Sequence, residues 1–145
     1  MRDFRSLSVW KKAHRLTLDT YRVTAQFPAD ERYGLSSQMR RAAASIPANI
    51  AEGCGRSGDG ELARFLRIAM GSASELEYQL LLSRDLHLLD AETYDGLYQQ
   101  VSEVRRMLDS LLRRIAQGAR SGERQQKAAK DSEKQRKAAK NSEKQ

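Results

Sequence analysis

Cysteine is almost absent from this chain. Cys54 is the single one among 145 residues, so no intramolecular disulfide can form, no Cys-x-x-Cys zinc or redox pair exists, and a reducing, cytoplasmic setting is expected. Histidine is nearly as scarce. His14 and His87 stand far apart and outside any Glu-x-x-His pair, which removes the di-iron signature of helical bundles. No apolar run is long enough for a membrane span or a secretory leader. Aromatic residues make up 6% of the chain and none falls in residues 118–145, so base stacking is not expected from that segment. Prolines number two, Pro28 and Pro47, which permits long helices. Gly53-Cys54-Gly55-Arg56-Ser57-Gly58 lacks the Lys-Ser/Thr ending of a phosphate-binding loop. A thiolate at Cys54 beside Arg56 is conceivable, but an inert loop cysteine is the simpler reading. No catalytic, metal-binding or cofactor-binding set emerges, so neither an enzyme nor a small-molecule substrate is expected.

What the chain does have is charge and helical periodicity. Its formal charge is +7. Residues 1–117 carry 17 basic and 15 acidic side chains, a balance of +2, whereas residues 118–145 carry 9 and 4, a balance of +5. Long-range attraction for polyanions therefore sits mainly in the last segment.

Apolar residues recur at helical spacing in four blocks. The first helix is expected over residues 6–26, ending before Pro28. The second is expected over 33–51, the third over 61–88, and the fourth over 91–117, with Asp90 as N-cap and Gly118 as terminator. The fourth block reads Tyr94, Leu97, Val101, Val104, Leu108, Leu111, Ile115, a 3-4-3-4 seam. No block alternates with period two. Short links force neighbouring helices antiparallel, so the fold class is all-α: an antiparallel up-down four-helix bundle over 1–117.

Residues 118–145 hold nothing apolar larger than alanine and contain a ten-residue repeat beginning at Lys127 and again at Lys137. With no face to bury, this tail is expected to be disordered or a frayed helix.

The first block carries two apolar stripes. One is Leu7, Trp10, His14, Thr17, Tyr21; the other is Val9, Ala13, Leu16, Thr20, Val23. A surface helix of a monomer needs one, so Val9, Ala13, Leu16 and Val23 are candidate subunit-interface residues. Two small-residue stretches also stand out, Gln38–Gly53 and Ile68–Leu80. Ala42, Ala43, Ala44, Ser45, Ala48 and Ala51 would face Ala69, Gly71, Ser72, Ala73 and Ser74, with Gly71 at the close approach. Pro47 should kink its helix, with Ser45 and Asn49 satisfying the freed backbone groups.

Arginine suits phosphate through its bidentate fork. Arg40, Arg41, Arg56, Arg64 and Arg67, together with the tail residues Lys127, Lys130, Lys137 and Lys140, form the candidate nucleic-acid-binding set. A solvated, ion-paired surface is the alternative for the arginines.

The motifs carry a resemblance. Phe4…Leu7…Val9-Trp10, Phe27-Pro28, Gly34-Leu35…Gln38, the run from Arg41 to Gly53, and Gly71-Ser72…Glu75-Leu76 resemble the four-helix-bundle proteins encoded in intervening sequences of bacterial 23S rRNA genes, over residues 4–115. The resemblance implies a cytosolic bundle that assembles as a ring, a homopentamer. It is distantly similar to the accessory protein of diversity-generating retroelements, which works with a reverse transcriptase and binds nucleic acid. Three readings follow: an RNA-directed homo-oligomeric scaffold, a protein–protein adaptor such as an accessory subunit to a reverse transcriptase, and, least supported by the residues, an enzyme.

Overall fold

The computed structural model describes residues 2–31 and 34–143. Tyr33, expected to open the second helix, lies outside them. The chain folds into α1 (Ser8–Thr24), α2 (Leu35–Gly55), α3 (Asp59–Asp85) and α4 (Ala91–Ser142), with short 3-10 turns at Phe4–Ser6 and Ala29–Glu31. No strand occurs among the described residues. Among the described residues, no helix is long and apolar enough to cross a membrane.

Cross-helix pairs give the arrangement. The Thr17 hydroxyl reaches Ala43 and Arg40 reaches Thr24, so α1 and α2 run antiparallel. Ser45 meets Ser72 and Ser83 meets Met39, which sets α3 antiparallel to α2. Arg105 pairs with Glu77, and Arg84 stacks on Tyr94, which turns α4 back along α3. Lys12–Glu103 and Gln100–Asp19 close α4 onto α1. The four helices form a closed square in chain order, the up-down bundle that the short links dictate. Leu16, Met39, Ile46, Ile50, Leu66, Leu76, Leu80, Val101, Val104 and Leu108 fill its centre, each fully buried.

Local chemistry explains the boundaries. The second helix runs four residues past its expected end and the third begins two residues before its expected start and ends three residues early, leaving only residues 56–58 between them. Gly58, at φ +87°, makes that turn, a conformation that suits glycine. Asp90 caps α4 as expected, accepting from Thr93 N–H at 2.7 Å. The end of α3 is a Schellman motif: Leu88 N–H donates to Ser83 O at 2.8 Å and His87 N–H to Arg84 O at 2.9 Å. The residue forced into the left-handed conformation there is His87, φ +60°, where glycine would be unstrained.

Pro47 lies inside α2, and the helix continues through it. Proline has no N–H for the Ala43 carbonyl one turn back. The Thr17 hydroxyl lies 2.9 Å from that carbonyl and 2.9 Å from Ala13 O of its own helix, so one proton is shared between a back-bond and the orphaned acceptor. Asn49 and Ser45, expected in this role, instead bond each other: Asn49 Nδ2 donates to Ser45 O at 2.7 Å and to Ser45 Oγ at 2.9 Å.

The small-residue stretches do face each other, but the close approach is not at Gly71. Ala42, Ala43, Ala69 and Ala73 are buried, and the Ser45 and Ser72 hydroxyls meet at 2.8 Å. Gly71 faces open space, whereas a Cβ at Gly53 would sit 2.9 Å from Phe65 Cβ and 3.1 Å from Leu62 Cδ1.

The chain divides into two units, Met1–Leu112 and Arg113–Gln145, a few residues before the boundary read from composition. Within the second unit the tail is helical through Ser142, with no break at Gly118. Gly118 lacks the positive φ of a helix-ending glycine. Alanine, lysine, arginine, glutamine and glutamate dominate this stretch, and all are strong helix formers. A helix extended from residues already helical also needs no new nucleus. These two effects outweigh the lack of a buried face.

Candidate nucleic-acid interface

The candidate arginines fall into two groups at opposite ends of α2. Arg40 and Arg56 are separated by about 24 Å of helix rise.

Arg40 serves the fold. Its Nε donates to Thr24 Oγ1 at 2.8 Å and its Nη2 to Tyr21 O at 3.2 Å, and its guanidinium lies 4.8 Å from the centre of the Tyr21 ring. It therefore caps the last turn of α1, where a cation complements the helix dipole. Arg41, next in sequence, points elsewhere. It borders an open hollow of about 760 Å³ whose floor is the small residues Ala44, Ser45 and Ala48 of α2, with Tyr21 of α1 and Glu75 of α3 on its sides.

At the other end, Arg56 and Arg64 converge on one ring. Their guanidinium carbons lie 5.5 Å and 4.4 Å from the centre of Phe65. Both also meet a carboxylate: Arg56–Glu52 at 2.8 Å and Arg64–Glu61 at 3.1 Å. The Arg64 hydrogen bond holds the Glu61 carboxyl below its ordinary pKa. Arg2 joins Asp59 at 3.1 Å alongside. Each of these three arginines thus stands beside a carboxylate, the pattern of an ion-paired surface. Arg67 is exposed and has no carboxylate partner among the described residues.

Cys54 is buried at 2% exposure inside α2 rather than in a loop. Burial pushes its thiol above the ordinary value, the opposite of an activated nucleophile. Among the described residues, no group of three or more His, Cys, Asp or Glu side chains could hold a metal ion.

The interface stripe expected on the first helix is core. Val9, Ala13 and Leu16 are 4%, 0% and 0% exposed within this single chain, and Val23 is half-buried. Such residues have no surface left to offer a second copy. The reason for two stripes is local. Val9, Ala13 and Leu16 face the bundle centre. The other stripe leans towards α2 and the N-terminal turn, where Trp10 stacks with His14 at 5.0 Å and contacts Phe4 at 4.9 Å. The apolar surface the sequence reading passed over is on α3. Ile68, Tyr78 and Leu86 are 42%, 61% and 53% exposed. Their helical phase on the outer side of α3, together with Gly71 and Leu82, was the signal available in the sequence.

Lys127, Lys130, Lys137 and Lys140 are exposed along the tail helix, as is Lys134. Lys137 pairs with Glu133 at 2.7 Å.

The fold defines a class: small up-and-down helical bundles with short links. The profile of the 23S rRNA-intervening sequence proteins matches residues 5–110, and the chain belongs to that family. A crystal structure of a protein of unknown function from the S23 ribosomal protein family of Bacteroides thetaiotaomicron is similar in fold. Its TM-score is 0.66 at 24% identity, over 72% of this chain and 97% of that one. No curated protein matches the chain.

Proposed function

We propose that this protein is a non-enzymatic, cytoplasmic scaffold that associates with itself and binds nucleic acid, RNA foremost. The observation that carries the reading is the unequal state of its cations. In the bundle, Arg2, Arg56 and Arg64 sit beside carboxylates and Arg40 caps a helix. In the tail, eight cations against four acids are exposed among the described residues, Lys137 pairing with Glu133. Charge held on an exposed helix is available to phosphate, and charge already paired is not.

Self-association is supported by the exposed apolar residues of α3 and, separately, by Tyr21 and Leu18 of α1 at 46% and 45% exposure. Five subunits in a ring is the count the family resemblance suggests. A ring would gather the tails' charge and multiply a weak contact.

Gel shifts of the whole chain and of residues 1–117, against RNA and DNA at two salt concentrations, test the binding. The expected result is sequence-tolerant, salt-sensitive binding that weakens strongly on loss of the tail. Light scattering tests the assembly, and a monomer mass at micromolar concentration refutes it. A protein–protein adaptor, such as an accessory subunit of a reverse transcriptase, is the second reading. Tyr78 and Leu86 favour it, as large apolar side chains available for docking. In that case binding to the partner protein survives tail removal.

A further inference from the structure

We infer that Lys127, Lys130, Lys134 and Lys137 form one continuous phosphate-binding ridge on the tail helix, and that a nucleic-acid backbone laid along it stabilises that helix. The inference rests on the polyanion-binding reading above and specifies the site.

The geometry follows from helical structure in the tail. At about 100° per residue, spacings of three, four and three place these four lysines within about 80° of one another around the axis. The stretch from Lys127 to Lys137 rises about 15 Å, long enough to follow several successive phosphates of one strand. The face directly opposite carries Gln125, Ala128, Ser132 and Ala139, with one cation, Arg136, and one acid, Glu143, while Asp131 and Glu133 flank the ridge on its two sides. Glu123, one turn before Lys127, bounds the ridge at one end, and Asn141 bounds it at the other. Lys134, not singled out from sequence, is a central member. Lys140 falls about 100° from the middle of the ridge. Because the repeat is ten residues, its second copy is rotated by about 80° and the ridge drifts slowly around the helix.

Two features define the ligand. No side chain larger than alanine offers an apolar anchor between Gly118 and Ser142, which removes both bilayer insertion and docking into a protein groove. No aromatic ring is present to stack a base. What remains is a row of cations for a row of phosphates, read without regard to sequence.

The ridge also strains its own helix. Lys130 and Lys134 are like charges at i,i+4, and Lys127–Lys130 and Lys134–Lys137 at i,i+3, all unfavourable neighbours. Glu133 pairs with Lys137, and Glu123 and Asp131, four residues to either side of Lys127, offset part of the repulsion. Phosphates along the ridge relieve the rest, so binding and tail helicity rise together.

The test is a rearrangement of the full-length chain that preserves composition and net charge: Lys130→Ser with Ser132→Lys, and Lys137→Ala with Ala139→Lys. It moves two of the four lysines to the opposite face. Filter binding of poly(U) over a salt series and hydrogen–deuterium exchange of residues 120–143 are the readouts. With the native chain, poly(U) should slow exchange in the tail. In the rearranged chain that slowing should largely disappear, and the log–log salt slope should fall by about 1.4, the share of two phosphates of a single strand. Equal affinity, slope and protection in both chains would mean that net charge alone is read; the ridge is then refuted while polyanion binding stands. If Lys127→Gln, Lys130→Gln, Lys134→Gln and Lys137→Gln together leave poly(U) binding unchanged, these lysines are not the site and the ridge is refuted; if the native chain does not bind poly(U) at all, the polyanion-binding reading itself fails.

Discussion

Two glycines should respond to the same substitution with opposite signs. Gly53 of α2 lies against α3, where an added Cβ would stand 2.9 Å from Phe65 Cβ, 3.1 Å from Leu62 Cδ1 and 3.4 Å from Leu62 O. Carbon atoms prefer separations of about 3.5–4.0 Å, so the first contact is too short by at least about 0.6 Å. Phe65 Cβ and the Leu62 carbonyl belong to, or adjoin, the α3 backbone and cannot rotate aside. The two helices must part at this crossing, an overpacking cost of about 1–3 kcal/mol. Against it stands the ordinary helical gain of alanine over glycine, about 0.5–1 kcal/mol. The net expectation for Gly53→Ala is destabilisation by about 1–2 kcal/mol. At this size that lowers the melting temperature by about 4–8 °C. Gly71→Ala lacks the opposing cost, because nothing lies near its Cβ position, so it should stabilise by about 0.5–1 kcal/mol. Thermal unfolding followed by circular dichroism, with urea titration as a check, measures both. Stabilisation by Gly53→Ala, or destabilisation of similar size by both variants, would refute the assignment of the crossing to Gly53.

Thr17→Val removes the hydroxyl shared by Ala13 O and the Pro47-orphaned Ala43 O; a loss of about 1–2 kcal/mol is expected in urea unfolding, with Thr17→Ser largely retaining stability. His87→Gly relieves the left-handed conformation at the end of α3 and should stabilise by about 0.5–1 kcal/mol; a neutral or destabilising result would mean the imidazole makes a compensating contact. Asp90 has its pKa lowered by its hydrogen bonds to Thr93. Its cap therefore stabilises above the unfolded carboxylate pKa and is lost as pH falls through the lower folded value. Asp90→Asn should reduce that acid-side slope of stability against pH while keeping the α4 cap at neutral pH.

Several elements were legible from residues alone because they are set by short-range chemistry. Apolar spacing located four helices, Asp90 marked the start of α4, and the small-residue stretches named the two helices that pack closely. Other features were not legible because periodicity counts faces without saying what covers them. The second stripe of α1 reads as surplus until α2 and the N-terminal turn are seen against it. The apolar side of α3 at Ile68, Tyr78 and Leu86 goes unnoticed beside the Leu62–Leu80 seam until the square arrangement turns it outward. For the candidate site, the sequence identified which side chains carry charge but not which were already engaged. Arg40 could be recognised as a helix cap, and Arg56 and Arg64 as neighbours on Phe65, only once α1, α2 and α3 were brought together.

By itself, the sequence determined the helical class, the family and the concentration of positive charge beyond residue 117, since composition and local periodicity are enough for each. Tertiary structure decided the rest: that Val9, Ala13 and Leu16 belong to the core, that Gly53 rather than Gly71 is the close approach, and that Thr17 answers Pro47 from another helix. Each of these depends on which atoms from distant parts of the chain come within van der Waals or hydrogen-bond range, and that is fixed by packing rather than by any local run of residues.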